Sequence, residues 1–163
     1  MADRVDLSDF LSAAAVIPDL RVPTKKAALQ AMAARAASLT GIDERRILET
    51  VMERERLGST GFGGGVAIPH GKIAGLKSVF GLFARSGLPL DYGAIDDQPV
   101  ELMFLLLAPE GAGADHLKAL ARVSRAFRDR ALVEKLKGST SADAHYAMLA
   151  GSGAGGGTTS QAA

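Results

Sequence analysis

His70 lies in the run Val66-Ala67-Ile68-Pro69-His70-Gly71, where a strand-like segment meets a loop. Pro69 biases Ile68 toward extended backbone, and Gly71 permits angles closed to other residues, a placement that exposes a ring at a sheet edge. A free imidazole titrates near about 6.5, so at neutral pH much of it is unprotonated and nucleophilic without a separate strong base. Phosphoryl transfer needs such a nitrogen, held in one tautomer and aimed in line at the donor. The plainer alternative is a capping histidine at a strand end, and spacing alone does not decide between them.

Four other residues could serve the same chemistry. His116 falls in the first turn of a predicted helix, where unpaired N–H groups and the positive dipole end favour an anion. Close to His70, it would donate to a transferred group carrying a charge of roughly −2. Arg54 ends another predicted helix, and its guanidinium offers two planar donors to an oxyanion, or else complements the helix C-terminus. Ser59 and Thr60 bring hydroxyls to the glycine-rich stretch that follows, although both types are common in turns for local backbone reasons. His145, isolated beside Tyr146, reads as a surface residue.

The stretch Gly58-Ser59-Thr60-Gly61-Phe62-Gly63-Gly64-Gly65 invites a nucleotide-binding reading. It lacks the G-x-x-x-x-G-K-[ST] order of a P-loop, because Lys72 follows His70-Gly71 and is succeeded by Ile73, which argues against that reading. A dinucleotide fingerprint needs a strand before the glycines and a helix after them, the reverse of the order here. His70 and His116 have no H-E-x-x-H or related pattern around them, so a metal site is a minor reading.

The elements that must position these residues follow from periodicity. Val16, Ile17, Leu20 and Val22 predict a short strand within Ala13 to Val22, closed by Pro23. Thr24 caps a helix to about Ser38 that Gly41 stops, with Lys25 and Lys26 unfavourably placed at its positive end. Asp43 caps a second helix with Ile47, Leu48, Val51 and Met52 inward. The glycine stretch predicts a loop. Val79 to Ala84 and Val100 to Leu107 predict strands, the second so continuously apolar that it should be buried on both faces. A third helix begins near Ala114 with Leu117, Leu120, Ala121, Ser124 and Phe127 at helical spacing, and with Lys118, Arg122 and Arg125 as a basic stripe opposite. Asp129 and Ser141 cap two shorter helices.

At 163 residues, with 47% apolar and 23% charged residues, the chain fits one globular domain over residues 1–150. Residues 151–163 are nearly all Gly, Ser, Thr and Ala and predict a flexible tail. A net charge of +1 gives no field that would gather nucleic acid or an acidic membrane, and no apolar run is long enough for membrane insertion. Absence of cysteine and of a secretory start points to a cytoplasmic protein.

The run from Arg54 to Lys72 resembles the active-site signature of phosphotransferase-system enzyme IIA domains of the fructose/mannitol class. Ala94-Ile95-Asp96-Asp97-Gln98-Pro99-Val100, Leu105-Leu106-Leu107-Ala108-Pro109 and His116-Leu117 extend the resemblance over most of Val5 to Leu149. It implies an α/β fold, a single domain with a mixed β-sheet flanked by helices on both faces. It makes His70 the phosphorylated residue, with His116 and Arg54 supporting the phosphoryl group, and it implies no cofactor. Gly64 stands where asparagine is often found, and glycine cannot make that side chain's hydrogen bond.

The implied donor is a histidine-containing phosphocarrier protein docking on a shallow apolar surface. A separate chain without a membrane domain is similar to the nitrogen-related regulatory type, whose partner would be a regulated target protein or kinase. The alternatives are a sugar-transport enzyme IIA that passes phosphate to a permease IIB domain, and a binding module whose histidine never turns over.

Overall fold

A computed structural model describes residues 5–151. In chain order these form β1 (Leu11–Leu20), α1 (Lys25–Thr40), α2 (Glu44–Arg56), β2 (Gly61–Gly63), β3 (Val66–Ala67) and β4 (His70–Ile73), followed by β5 (Phe80–Leu90), β6 (Val100–Pro109), α3 (Ala114–Ala126), α4 (Arg130–Lys137) and α5 (Ala142–Leu149). The predicted tail lies, apart from Gly151, outside the described residues.

Helix starts follow the local chemistry. Thr24, Asp43, Asp129 and Ser141 each accept a backbone N–H of the first turn through the side chain. Gly41 closes α1 at φ 78°, a left-handed conformation in which a side chain would be strained.

The sheet has the order β1-β5-β6-β3-β2, with β4 also paired to β6. β5 and β6 are antiparallel, whereas β1 on β5, and β3 and β4 on β6, are parallel. The sheet is therefore mixed, as expected. β6 is central, and every residue from Leu102 to Ala108 is at most 1% exposed. Successive strand residues point to opposite faces, so this unbroken burial requires cover on both sides.

Four readings of the sequence need correction. β1 runs through Pro18 and ends before Val22, because an edge strand has a free side where a missing N–H costs no ladder bond. The glycine stretch is not all loop, since β2 lies within it and pairs antiparallel with β3 just beyond it. On α3 the period holds but the phase is shifted. The buried face is His116, Ala119, Val123 and Ala126, while Leu117 is 69% exposed. Counting His116 as polar moved the expected stripe by one residue.

The fourth correction concerns His145, which is fully buried. Its Nε2 lies 3.0 Å from the Leu136 carbonyl and 2.8 Å from that of Ser139, so Nε2 carries the proton and donates. The ring stands edge-on to Phe83, with centroids 5.2 Å apart. Burial holds its pKa below the ordinary value, as it does for His70 and His116.

All three rings should therefore make the fold acid-sensitive. Above about 6.5 both folded and unfolded chains carry neutral histidines. As pH falls through that value the unfolded chain takes up protons that the folded one resists, so stability declines. Each histidine kept neutral contributes at most ~1.4 kcal/mol per pH unit. Melting curves between pH 7.5 and 5 should show this loss, with a shallower slope in His145→Gln. An unchanged slope in that variant would mean that the ring titrates alike in both states.

Candidate functional site

The site assembles where α2, the β2–β3 hairpin, β4 and the start of α3 meet. β3 and β4 lie in succession along the same edge of β6, with Val66 opposite Leu102 and His70 opposite Leu106. Between them Pro69 contributes only its carbonyl, which accepts from the Leu106 N–H at 3.0 Å. β4 thus begins at His70 on a sheet edge, with the ring half-buried. Gly71 lets α2 approach this strand, because a Cβ there would come within 2.7 Å of Thr50 Cγ2.

His70 Nδ1 lies 2.8 Å from the Ile68 carbonyl. A carbonyl can only accept, so Nδ1 carries the hydrogen and the neutral ring leaves its lone pair on Nε2. Burial lowers the pKa of His70; the Ile68 hydrogen bond works in the opposite direction, and the positive charge of Arg54 lowers it further. The charge of Glu55 acts against this lowering, and the net effect favours the neutral ring.

His116, 6% exposed, stands edge-on to His70 with centroids 5.7 Å apart and planes at 78°. Its pKa is lowered by burial first, then by His70 and Lys72, and its Nδ1 has no hydrogen-bond partner in the protein. Arg54 donates from Nη1 to the Gly58 carbonyl at 2.9 Å, holding the guanidinium against the loop that leaves α2. These three residues are brought together.

Ser59 and Thr60 are engaged elsewhere. Ser59 Oγ accepts from the Gly61 N–H at 3.0 Å, a local turn contact. The Thr60 hydroxyl is buried and bonds to Glu55, with the Tyr92 hydroxyl at 3.1 Å.

That buried cluster was missed in the sequence. Glu55, 8% exposed, accepts the Thr60 N–H and the Tyr92 hydroxyl, each at 3.1 Å, and pairs with Lys25 Nζ at 2.9 Å. Lys25 also sits 4.2 Å from the centre of the Tyr92 ring. Burial, then the charge of Glu55, pushes the Tyr92 phenol well up, so it remains a donor. Two signals were available. Glu55 continues the Ile47–Val51 spacing of the buried face of α2, and Lys25 at a positive helix end needed an anion to offset its position.

A groove of about 460 Å³ lies between the glycine hairpin and α4, and its lining includes none of His70, His116 and Arg54. Among the described residues no group of three or more His, Cys, Asp or Glu is placed to hold a metal ion.

An open mixed sheet with helices packed against it is the fold of enzyme IIA domains. The chain belongs to the family described as "Phosphoenolpyruvate-dependent sugar phosphotransferase system, EIIA 2", whose sequence model matches residues 9–151. It is 54% identical over 144 residues to a nitrogen regulatory protein of Bradyrhizobium diazoefficiens, covering 88% of this chain and 94% of that one. The crystal structure of nitrogen regulatory protein IIA-Ntr from Neisseria meningitidis superposes with a TM-score of 0.83 at 34% identity, covering 88% of this chain and 98% of that one. A fructose-specific EIIA component of Haloferax volcanii is 36% identical over 114 residues, covering 69% of this chain and 74% of that one. No helix among the described residues is long and apolar enough to cross a membrane.

Proposed function

We propose that this chain is a cytoplasmic phosphocarrier in which His70 Nε2 accepts a phosphoryl group from a histidine-containing phosphocarrier protein. A regulated target protein or kinase then reads the phosphorylation state. The observation that carries this reading is the 2.8 Å contact between His70 Nδ1 and the Ile68 carbonyl, which leaves Nε2 as the nucleophile.

In the transfer, the Nε2 lone pair forms a bond to phosphorus as the bond from phosphorus to the donor's imidazole breaks, and that imidazole leaves with the electron pair. The His70 ring acquires positive charge, which the Ile68 carbonyl stabilises through Nδ1–H. Arg54 and His116 meet the phosphoryl oxygens with N–H donors. His116 can act in its neutral form, since either tautomer keeps one ring N–H.

Docking by a protein fits the surroundings. Leu57, Ile95 and Leu117 are 83%, 78% and 69% exposed. Each is tied to the site through the chain: Leu57 three residues after Arg54, Ile95 through its N–H to the Gly61 carbonyl, and Leu117 next to His116. A charge of roughly −2 among exposed apolar side chains switches an interface off by desolvation and repulsion, or on where a partner offers arginines.

The names of the Bradyrhizobium and Neisseria proteins support the regulatory role, and the Haloferax component supports the transport alternative. The test begins by labelling the protein from phosphoenolpyruvate through upstream phosphotransferase proteins. Phosphorus NMR should place the group on Nε2, and a signal from the Nδ1 isomer would reject the stated geometry. Partners captured on unmodified, phosphorylated and His70→Ala protein are then compared. Phosphate delivery to a permease IIB domain as the sole phosphorylation-dependent activity would favour transport over regulation.

A further inference from the structure

A continuous line of hydrogen bonds joins the buried carboxylate of Glu55 to the reactive ring. Glu55 Oε1 accepts the Thr60 N–H at 3.1 Å, the Thr60 carbonyl accepts the Ile68 N–H at 3.1 Å, and the Ile68 carbonyl accepts His70 Nδ1–H at 2.8 Å. We propose that Glu55, locked by Lys25, Tyr92 and the Thr60 hydroxyl, is a positioning residue that sets the tautomer of His70 through this line.

The far end of the line cannot drift. Lys25 enters from the first turn of α1, Tyr92 from the segment between β5 and β6, and Glu55 from the last turn of α2. Three separately anchored elements therefore converge on one carboxylate. Hydrogen bonds to an ionised group are roughly twice as strong as neutral ones, and a buried carboxylate deprived of them pays a desolvation cost. Both effects hold Thr60 in place.

Thr60 then fixes Ile68 across the hairpin base, where Gly61 pairs with Ala67. Ile68 has little other freedom, because Pro69 restricts its backbone and its side chain is buried. Its carbonyl is thus aimed at Nδ1 before any donor arrives. If Ile68 turned away, the neutral ring could shift its hydrogen to Nε2 and lose the nucleophilic lone pair there. Thr60 on this view serves the reaction through backbone placement, with its hydroxyl facing Glu55.

The inference rests on the phosphocarrier reading for its purpose, but its main readout needs no phosphate. Nitrogen NMR of the imidazole reports which nitrogen bears the hydrogen. In the unmodified protein His70 should be in the Nδ1–H form. The Lys25→Met/Glu55→Ala double variant, which strands no buried lysine, should show a mixture of tautomers. Misplacement of this kind should slow single-turnover phosphoryl transfer by about 10- to 100-fold.

Glu55→Asp keeps the charge but shortens its reach, and it should shift the ring in the same direction with less disturbance to folding. Leu136→Ala, a destabilising core variant away from the line, should leave the tautomer unchanged. Unaltered His70 tautomer and rate in folded Glu55 variants, or an equal shift in Leu136→Ala, would overturn the inference. Failure of the unmodified protein to be labelled at His70 would instead overturn the phosphocarrier reading, and the tautomer comparison would still decide the role of Glu55.

Discussion

Replacing His70 by alanine is expected to abolish phosphate uptake from phosphoenolpyruvate while leaving the melting temperature within a few degrees of the parent. The ring is half-buried on an edge strand, and the pairing of His70 with Leu106 uses backbone that alanine also supplies. No other nucleophile takes its place. His116 is 6% exposed and His145 fully buried. The phosphoryl bond formed on the parent should be acid-labile, as phosphoramidates are. Stoichiometric labelling of His70→Ala would remove this residue from the reaction.

The next largest effect is expected from Arg54→Ala and His116→Ala, each of which should slow single-turnover transfer without preventing it. Losing one donor aimed at developing charge typically costs about 10² to 10³ in rate. Arg54 has a second action, since its charge helps keep His70 unprotonated, so Arg54→Ala should also raise the His70 pKa. His116→Ala should slow transfer through loss of its ring N–H donor. His116→Gln, which fills more of the buried space and keeps an N–H donor, separates a packing loss from a donor loss. Parental rates in the alanine variants would reject the supporting role.

Much of this architecture was legible because it is written in short-range signals. Thr24, Asp43, Asp129 and Ser141 cap their helices through groups two or three residues away, and such contacts require nothing from the rest of the chain. The apolar run of β6 likewise implied a strand covered on both faces. Two of the misreadings, the phase of α3 and the placement of His145, arose where an isolated polar residue was assumed to face water. His116 and His145 are both buried, one among the residues around His70 and the other against two carbonyls and Phe83, and no local pattern distinguishes these uses from exposure.

The residue types alone pointed to an imidazole at a sheet edge, with a guanidinium and a second imidazole available to accompany it, although His70 begins strand β4 and does not end a strand as its neighbours suggested. Only the tertiary structure decided that His116 comes ring-to-ring with His70, that Nδ1 rather than Nε2 carries the hydrogen, and that Lys25, Glu55 and Tyr92 share one buried cluster. The reason is one of range. Backbone preferences and caps act over a few bonds, whereas the distance between side chains on different elements depends on strand order, register and the packing of helices against the sheet. A one-residue slip of β4 along β6 would turn His70 to the opposite face with every local preference unchanged.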